Sequence, residues 1–399
     1  MTENTSIVVI GGGYAGVMAA NSLTRRADVS VTLINPRPAF VERIRLHQLV
    51  GGSDDAVVGY QEILADRVRL VVDTATRIDA AGRRVELAAG GTVGYDYLVY
   101  AVGSASADRQ VPGVARFAYP LATLEDAERL RPVVDAAPAE AAITVVGAGP
   151  LGIETAAELA EDGRAVTLVC GDVLGPYLHP AGRRTVARRL AKLGVTVLQS
   201  PGATATAVTH DAVRLDDGRH IASDVTIWTA GFGVPDLATC SGLSTDDLGR
   251  LRTDETLTSV DDARIVAAGD SAAPSDLPYR MSCQAAVQLG PGAADTILSR
   301  IAGEQPVSVS VGFAGECISL GRRAGIFQFS HKNDTAIRSY LGGGRAGAAV
   351  KEFVCWGTVK QLSIEARRPG TMTRLFAAGK DSRRPKLVQA ARGEVSATP

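Results

Sequence analysis

Cysteine is scarce in this sequence, and the five cysteines that occur are not spaced as a redox or metal-binding pair. They stand at positions 170, 240, 283, 317 and 355 of the 399 residues, without a C-x-x-C or C-x4-C motif. An odd, dispersed set excludes a disulfide scaffold and argues against a zinc site, so we expect no metal. A chain of this length needs neither, because it can bury a large apolar core.

Excess charge and long apolar runs are also missing. The net charge of −1 gives no reason to expect nucleic-acid binding. No apolar stretch reaches the roughly 18 residues of a membrane-spanning helix, and the polar start does not resemble a signal peptide. With 46% hydrophobic and 21% charged residues, the composition excludes a disordered chain. These absences predict a cytoplasmic protein, either free or held peripherally on the inner face of the cell membrane.

One pattern occurs twice. Residues 6–34 read as strand (SIVVI), glycine turn, helix and strand (VSVTLI), and residues 143–169 repeat this order from ITVV to AVTLV. Each is a βαβ unit, and such units require a parallel sheet. Two units in a chain whose length allows two or three domains predict an α/β protein with two nucleotide-binding domains.

Both glycine turns have the spacing G-x-G-x-x-G. They consist of Gly11, Gly13 and Gly16, and of Gly147, Gly149 and Gly152. The first glycine makes the tight turn, the second lets the backbone approach a pyrophosphate, and the third permits close packing of helix on strand. One such motif is weak evidence, but two between a strand and a helix predict two dinucleotide sites.

Three further strand patterns end in a small Ala/Gly turn, over residues 95–103, 224–231 and 264–270. The first two follow the two fingerprints at similar offsets, which supports the same architecture in both halves. A helix pattern runs from about Ser282 to Ile301. After Pro306 the sequence changes to short strand patterns, VSVSVGF, ECISLG and GIFQFS, and then to a basic tail.

Both fingerprints lack the acidic residue that binds the ribose hydroxyls about 20 residues further on. Asn35 stands there in the first copy and Cys170 in the second. Asn35 can still hydrogen-bond a ribose, whereas Cys170 is a poor substitute. The sequence therefore leaves the choice between NADH and NADPH open.

With these motifs the sequence resembles the two-dinucleotide flavoproteins, and specifically the type II NADH dehydrogenases (NADH:quinone oxidoreductases), over roughly residues 6–330. GGGYAG at 11–16 is similar to the family's FAD-binding turn, and NPRPAF at 35–40 to its Pro-Arg turn. GAGPLGIE at 147–154 resembles its NADH fingerprint, and Gly269-Asp270 its Gly-Asp beside the flavin ribitol. The quinone-side motif A-Q-x-A-x-Q is similar to CQAAVQ at 283–288, with Cys283 replacing the first alanine.

The resemblance implies FAD and NAD(P)H as cofactors, in tandem Rossmann-like domains of the glutathione-reductase kind with a C-terminal α+β region. We expect an FAD domain at 1–114 and 250–306, an NAD(P)H domain at 115–249, and a C-terminal domain with a basic tail at 307–399. The expected cofactor-binding residues are Gly11, Gly13, Tyr14, Ala15, Gly16, Asn35, Pro36, Arg37, Arg43, Ala101, Gly103, Gly147, Gly149, Pro150, Leu151, Gly152, Gly231, Gly269 and Asp270.

The resemblance also implies the catalytic residues Glu154, Gln284 and Gln288. Glu154 would lie near the nicotinamide, and the two glutamines beside the flavin or the acceptor. The expected reaction passes a hydride from NAD(P)H to the flavin and electrons onward to a quinone or quinone-like acceptor. Residues 36–60 lack the cysteine pair of the disulfide reductases, so a thiol relay is not expected.

Each assignment has a structural alternative. Asp270 also suits a helix N-cap, and Glu154, three places into a helix, also complements the helix dipole. Cys283 also fits a small packing residue. Arg43, Arg45 and His47 fall where the chain of family members passes near the isoalloxazine. A solvated helix face is the alternative for these three residues and for Gln284 and Gln288.

Two other functions are compatible with the sequence. The departures at Asn35 and Cys170 would suit a specialised flavoenzyme of secondary metabolism that acts on a small molecule. A nucleotide-binding redox sensor, like the apoptosis-inducing-factor-type flavoproteins, is the other. Whether the protein forms a homodimer is left open.

The tail differs in charge from the rest of the chain. Residues 351–399 hold ten Lys/Arg and four Asp/Glu, a net charge of +6, whereas residues 1–350 carry −7. Basic residues near an anionic lipid surface contribute about 1 kcal/mol each, and family members commonly sit on a membrane face through this region. A disordered basic tail is the other interpretation, and for residues 380–399 it is the one we predict.

Overall fold

The computed structural model describes residues 4–106, 111–377, 381 and 383–396. One parallel sheet has the strand order β21-β9-β1-β2-β5. Its strands are β1 (Thr5–Ile10), β2 (Val29–Asn35), β5 (Val68–Val72), β9 (Tyr97–Tyr100) and β21 (Ile265–Ala267). Helix α1 (Tyr14–Leu23) follows β1 and packs against α9 (Cys283–Ile301). Gly290 allows this approach, because a Cβ there would lie 2.3 Å from the carbonyl oxygen of Ala15.

The second parallel sheet has the strand order β11-β18-β12-β13-β14. Its strands are β11 (Ala118–Pro120), β12 (Ala142–Val146), β13 (Ala165–Gly171), β14 (Thr196–Gln199) and β18 (Val225–Trp228). Helix α6 (Pro150–Glu161) connects β12 to β13, and α5 (Leu124–Ala136) and α7 (Pro180–Lys192) complete the unit. The predicted pair of βαβ units and the mixed α/β fold with parallel sheets are confirmed.

Each half also contains its own three-stranded antiparallel sheet. In the sequence this sheet comes before the strand that pairs with the first strand of the parallel sheet, β9 with β1 and β18 with β12. In the first half it consists of β6 (Ala75–Asp79), β7 (Arg84–Leu87) and β8 (Thr92–Gly94), and in the second of β15 (Ala205–Val208), β16 (Ala212–Leu215) and β17 (His220–Ala222). The short strands β10 (Ala105–Ser106) and β19 (Phe232–Gly233) pair antiparallel. The segment that leads from the first half into the second therefore lies beside the segment that leads back.

Short elements fill the remaining connections. Two further strand pairs are β3 (Ala39–Val41) with β4 (Val57–Gly59), and β20 (Leu251–Thr253) with β22 (Ala272–Pro274). The short helices are α2 (Leu46–Val50), α3 (Tyr60–Ile63), α4 (Val114–Phe117) and α8 (Leu237–Cys240), and single 3-10 turns cover Arg43–Arg45 and Gly269–Ser271.

The C-terminal region is an antiparallel sheet followed by helices. The sheet contains β23 (Gly315–Ser319), β24 (Gly325–Ser330) and β25 (Ala336–Gly344), and the helices are α10 (Arg345–Arg367), α11 (Thr371–Ala377) and α12 (Arg384–Ser396). Helix α10 packs against both β24 and α1, so it connects the end of the chain to its beginning. No helix among the described residues is both long and apolar enough to span a membrane.

The structure corrects two expectations for this region. VSVSVGF at 307–313 is not a strand, because side chains of the preceding segments take its backbone groups. Gln288 bonds both backbone groups of Gly312, and the amide of Val311 donates to the hydroxyl of Tyr279 at 3.4 Å.

The prediction of disorder for 380–399 is wrong for residues 384–396, which form α12. Arg384 fixes its start, since the buried guanidinium donates to both carboxylate oxygens of Glu255, at 2.9 and 3.0 Å. The other predicted tail residues, 380, 382 and 397–399, lie outside the described part of the chain.

The predicted domain boundaries remain a proposal. Leu237, Ala238 and Leu243 pack with Val8 and Ile10 of the first sheet. This packing favours a return of the chain to the first domain closer to β19 than to the predicted residue 250.

Candidate functional site

The first glycine turn is tight enough to require glycine at its ends. Gly11 has a φ of +102°, and a Cβ there would lie 2.3 Å from the carbonyl oxygen of Ala101. A Cβ on Gly16 would lie 1.8 Å from the carbonyl oxygen of Gly11. Gly13 differs, because a Cβ there would have no atom within 4 Å. The N-terminus of α1 therefore faces open space at Gly13, as an anion-binding turn requires.

The second glycine turn repeats this geometry. Gly147 has a φ of +134°, and a Cβ there would lie 2.3 Å from the hydroxyl of Thr229. A Cβ on Gly152 would lie 2.0 Å from the carbonyl oxygen of Gly147, whereas one on Gly149 would meet nothing within 4 Å. The two predicted fingerprints thus place open backbone at equivalent points of the two halves.

Side chains support the first turn. The Gly12 amide donates to Oδ1 of Asn35 at 2.9 Å, and the Tyr60 hydroxyl donates to the Gly12 carbonyl at 2.8 Å. Nδ2 of Asn35 donates to the carbonyl of Arg37 at 2.9 Å. Asn35, predicted to bind a ribose, therefore also holds the turn in place.

Both turns open into one cavity of about 1350 Å³. Typical small-molecule pockets enclose roughly 300–1,000 Å³, so this cavity can hold more than one ligand of ordinary size. Its polar lining includes Asp270, Gln284, Glu154 and Lys351. The halves and the C-terminal region therefore share a single site.

Asp270 lies in the wall nearer the first turn. Its Oδ2 accepts from the hydroxyl of Ser104 at 2.7 Å, and its Oδ1 accepts from the amide of Ser282 at 3.1 Å. Ser282 is the N-cap of α9, so the carboxylate bonds to the capping residue, whereas Asp270 is not itself the N-cap that the alternative supposed. Arg43 donates to Ser104 at 2.9 Å and lies 3.8 Å from Asp270.

Glu154 and Lys351 form a buried ion pair in the cavity wall. Their Oε1 and Nζ atoms are 2.7 Å apart, and the amide of Ser319 donates to the same oxygen at 2.9 Å. Only 4% of Glu154 and 5% of Lys351 is exposed. Burial alone would lower the pKa of Lys351, but the charge and the hydrogen bond of Glu154, together with the nearby Cys355 and Cys317, outweigh burial and raise this pKa. Glu154 therefore does more than complement a helix dipole.

His47 lies directly behind this pair. Its Nδ1 is 3.5 Å from Oε2 of Glu154, the side chain is fully buried, and neither ring nitrogen has a hydrogen-bond partner among the described residues. Burial lowers the pKa of His47 to about 4, so the ring is neutral at pH 7. The solvated-face alternative is therefore wrong for His47.

The same alternative is wrong for Arg45, which is buried among carboxylates. Its guanidinium lies 3.3 Å from Glu42, 3.4 Å from Asp54 and 3.0 Å from Glu352. Although it belongs to the same predicted set, Arg45 is not part of the cavity wall.

The two predicted glutamines have different surroundings. Gln284 lines the cavity, and its Oε1 accepts from the amide of Ala314 at 3.0 Å. Gln288 does not line it, because its amide donates to the carbonyls of Gln284 and Gly312 and accepts from the amide of Gly312. The structure therefore does not bring Gln288 to the site, and it holds the segment after α9 instead.

Comparison with known proteins identifies the scaffold. Residues 5–290 match the sequence profile of the family described as pyridine nucleotide-disulphide oxidoreductase. The chain belongs to this family.

Individual relatives are more specific. An NADH dehydrogenase-like protein of Mycobacterium tuberculosis is 29% identical over 356 residues, which cover 81% of this chain and 87% of the relative. A type II NADH:quinone oxidoreductase of the same organism is 28% identical over 345 residues, covering 75% and 73%. The fold is similar to that of a sulfide:quinone oxidoreductase from Aquifex aeolicus, with a TM-score of 0.76, 19% identity and coverage of 90% and 92%.

The residues fit FAD and NAD(P)H, the cofactors predicted for this family member. Each helix N-terminus presents a glycine with free space above it, where a pyrophosphate can approach the backbone. Asp270 supplies a carboxylate next to the first turn, where sugar-like hydroxyls can donate to it. The second turn lacks such an acid, since Cys170 stands at the end of β13.

Most other predicted residues also line the cavity. These are Tyr14, Ala15, Asn35, Arg37, Arg43, Ala101, Gly103, Pro150, Leu151, Gly231 and Gly269. The ring of Tyr14 packs edge-on against Phe40, with centroids 5.0 Å apart. Arg37 is held by two hydrogen bonds of 2.5 Å to Glu125. Pro36, Gly16 and Gly152 do not line the cavity and act through the shape of the turns.

The family name refers to disulphides, yet the thiols of this chain do not form one. All five cysteines are free. Cys283 and Cys317 line the cavity, and burial raises their pKa values to about 11 and about 12. Both are therefore protonated at neutral pH, and a thiol is a poor nucleophile compared with a thiolate.

Sequence reasoning missed several residues of the site. Lys351 was counted only as one charge of the basic tail, and Ser104, Tyr60 and Ser319 were not considered. Ser104 directly follows the predicted residue Gly103, so the strand-to-glycine motif could have indicated it. Lys351, Tyr60 and Ser319 carry no local signal, because their roles depend on contacts between distant segments.

Proposed function

We propose that this protein oxidises NAD(P)H and reduces a quinone or quinone-like acceptor, with FAD as its cofactor. The observation that carries the proposal is the buried Glu154–Lys351 ion pair in a cavity shared by two dinucleotide turns. The relatives named NADH dehydrogenase-like and type II NADH:quinone oxidoreductase support the same reaction class.

The reaction needs a proton as well as electrons. NAD(P)H supplies a hydride, which carries two electrons and one proton equivalent, and the reduced quinone takes up two protons. One proton must therefore come from solvent. Bound FAD would supply the two-electron chemistry that connects the nucleotide with the acceptor. The task of the chain is to bind, to orient and to deliver that proton.

Binding, orientation and proton delivery are carried out by different residues of the cavity. The two glycine turns hold the pyrophosphates, and Asp270 and Arg43 orient the group at the first turn. Lys351 remains charged beside Glu154, so its Nζ can donate a hydrogen bond and then a proton to a developing oxyanion in the cavity. Gln284 remains a proposed contact for the acceptor, whereas Gln288 acts by positioning the segment around Gly312.

A rapid-kinetics experiment tests the proposal. The purified protein is expected to show flavin absorption that bleaches with NADH or NADPH and returns on addition of menadione. Lys351→Gln should keep the bleaching rate within about twofold but slow the return by roughly tenfold or more, since it removes the proton donor. Lys360→Gln, an exposed lysine on the same helix, is the matched control and should behave as wild type.

The outcomes separate the candidate functions. If neither nucleotide bleaches the flavin, the proposal is wrong. Bleaching without reoxidation by any quinone would favour the specialised flavoenzyme instead. A long-lived reduced complex whose oligomeric state changes with nucleotide would favour the redox sensor.

We further propose that the C-terminal helices rest on a membrane surface, from which a lipid-soluble acceptor can enter. Phe353 and Trp356 are 66% and 56% exposed on α10, and their rings lie 5.7 Å apart. Leu375 on α11 and Leu387 on α12 are also more than half exposed. Exposed apolar groups beside basic residues are typical of an interfacial anchor.

Co-sedimentation with vesicles containing anionic phosphatidylglycerol tests this contact. Phe353→Ser/Trp356→Ser should lower the bound fraction several-fold, and added salt should lower it further. Val72→Ser, at an exposed apolar residue of the first sheet, is the control. Equal binding of all three proteins would contradict the proposal.

A further inference from the structure

His47 is a buried polar side chain without a structural explanation. It lies on α2 with no exposed surface, and both ring nitrogens lack a hydrogen-bond partner among the described residues. An unsatisfied buried polar group destabilises the folded state, and such groups are rare in folded proteins. A leucine would fill the same space without that cost. The imidazole therefore suggests a chemical role.

The ring faces the free oxygen of the catalytic pair. Lys351 and Ser319 both bond to Oε1 of Glu154, and Oε2 faces Nδ1 of His47 at 3.5 Å. Besides Glu154 on α6 and Lys351 on α10, the charges acting on His47 come from Arg322, after β23, and Arg45, in the 3-10 turn before α2. The imidazole thus lies beside the carboxylate oxygen that Lys351 and Ser319 do not bond.

The polar groups continue beyond this point toward solvent. Glu158 lies one turn after Glu154 on the same face of α6, and neighbours at this spacing are about 5–6 Å apart. Its Oε1 accepts from the hydroxyl of Ser53 at 2.6 Å, and its buried Oε2 has no partner among the described residues. Ser53 is exposed just after α2. Ser53 and Glu158 therefore bring a hydroxyl and a carboxylate from the surface to the face of α6 that also carries Glu154.

We infer that His47 relays the proton consumed in acceptor reduction, from the Ser53–Glu158 side to the Glu154–Lys351 pair. The inference rests on the proposed function, which requires one proton from solvent. His47 does not line the cavity. It therefore acts on the acceptor only through Glu154, which makes it a positioning residue rather than a catalytic one.

The transfer balances in protons and charge. The acceptor oxygen takes a proton from Nζ of Lys351, which becomes a neutral amine. Glu154 returns a proton to that amine from Nδ1 of His47, and Nε2 of His47 takes one from the solvent side. Burial keeps the ring neutral, so the imidazole can accept at one nitrogen and donate at the other without trapping the proton.

His47→Gln provides the test in the full-length protein loaded with FAD. The amide fills similar space but does not pass a proton between two nitrogens. Flavin bleaching by NADH should stay within about twofold of wild type, whereas reoxidation by menadione at pH 8 should fall by roughly tenfold or more. The reoxidation rate should also become steeply pH-dependent, falling about tenfold per pH unit as the supply of protons falls.

Two further variants keep the test decisive if His47→Gln folds poorly. His47→Ala should regain reoxidation when free imidazole is added, which a purely structural defect would not do. Glu158→Gln, at the solvent end, retains the bond from Ser53 and should also slow reoxidation selectively. His220→Gln, an exposed histidine on β17, is the control and should match wild type.

The outcomes are distinct from those of the proposed function. If wild type is bleached but no quinone reoxidises it, the proposed function fails and the relay fails with it. If wild type turns over and both His47→Gln and Glu158→Gln reoxidise at its rate with its pH profile, only the relay is overturned. Equal slowing of both half-reactions, without rescue by imidazole, would also overturn it.

Discussion

The two glycine turns share their backbone geometry but differ in what supports it. The amides of Gly11 and Gly147 each donate at 2.9 Å to the second strand of their sheet, which makes Asn35 and Cys170 equivalent. Asn35 holds the first turn through Gly12, together with Tyr60. At the second turn, the Ala148 carbonyl accepts from the backbone amide of Gly175 and from no side chain in the described part of the chain. The first turn suits a cofactor that stays, and the second a nucleotide that leaves after each turnover.

The helices that follow the turns differ as well. The position of Glu154 on α6 corresponds to Met18 on α1, and both side chains are buried. Met18 packs in the apolar core of the first half, whereas Glu154 pairs with Lys351. Equivalent positions of the duplicated scaffold thus hold a buried ion pair in one copy and an apolar core residue in the other.

The largest expected effect comes from filling the third glycine of each turn. Gly16→Ala and Gly152→Ala place a Cβ within 2.0 Å of a backbone carbonyl, which should destabilise each half by roughly 3 kcal/mol or more. Gly16→Ala should lose flavin, whereas Gly152→Ala should keep flavin absorption but not bleach with NADH. Full flavin occupancy in Gly16→Ala would contradict the assignment of the first turn.

Open positions provide the matched controls for that experiment. Gly13→Ala and Gly149→Ala add a methyl group where nothing lies within 4 Å. Their thermal unfolding should match wild type, and each should weaken only the ligand of its own half.

Lowering the pH should destabilise the folded protein through His47. Because its pKa is about 4 in the folded protein and about 6.5 unfolded, the unfolded chain binds a proton over this interval that the folded chain does not. Stability should therefore fall as the pH falls from 6.5 to 4, by about 3 kcal/mol. Urea unfolding of wild type and His47→Gln at both pH values measures this, and equal acid losses in the two proteins would contradict it.

Removing the support of the first turn should have a smaller effect. Asn35→Ala loses the bond to Gly12, which should cost about 1–2 kcal/mol and weaken FAD binding roughly tenfold or more. Titration of the apoprotein with FAD, followed by flavin fluorescence, measures the change. The Km for NADH should stay the same.

The equivalent change in the second half should be the smallest. Cys170→Ala removes a thiol whose one polar contact is a weak one of 3.9 Å to Leu168, so the affinity for NADH should change by less than about twofold. If Cys170→Ala and Asn35→Ala affect their ligands equally, the difference in support between the turns does not matter for binding.

The parts predictable from sequence were those with a local signal. The strand, glycine turn and helix of each half follow from short-range periodicity, so Gly11 and Gly147 were located correctly. The resemblance predicts Asp270 beside the flavin ribitol, and the structure places this carboxylate in the cavity wall, where it accepts from the amide of Ser282.

The unpredicted parts depend on contacts between distant segments. Gln288 belonged to a recognisable motif, yet its amide is used by Gly312. The partner of Glu154 is contributed by α10, in a region whose basic residues indicated only surface charge. The helix over residues 384–396 begins at Arg384, whose guanidinium donates to Glu255. No local sequence pattern indicates this contact.

The origin of Lys351 also sets an order of events during synthesis. Both glycine turns leave the ribosome well before α10, so each half can begin to fold while Glu154 still lacks its cation. A carboxylate without its partner is costly to bury, so we expect this wall to stay hydrated until Lys351 has been synthesised. The redox centre therefore closes only when the end of the polypeptide returns to its beginning, and a prematurely terminated chain should retain nucleotide-binding folds without a finished reaction chamber.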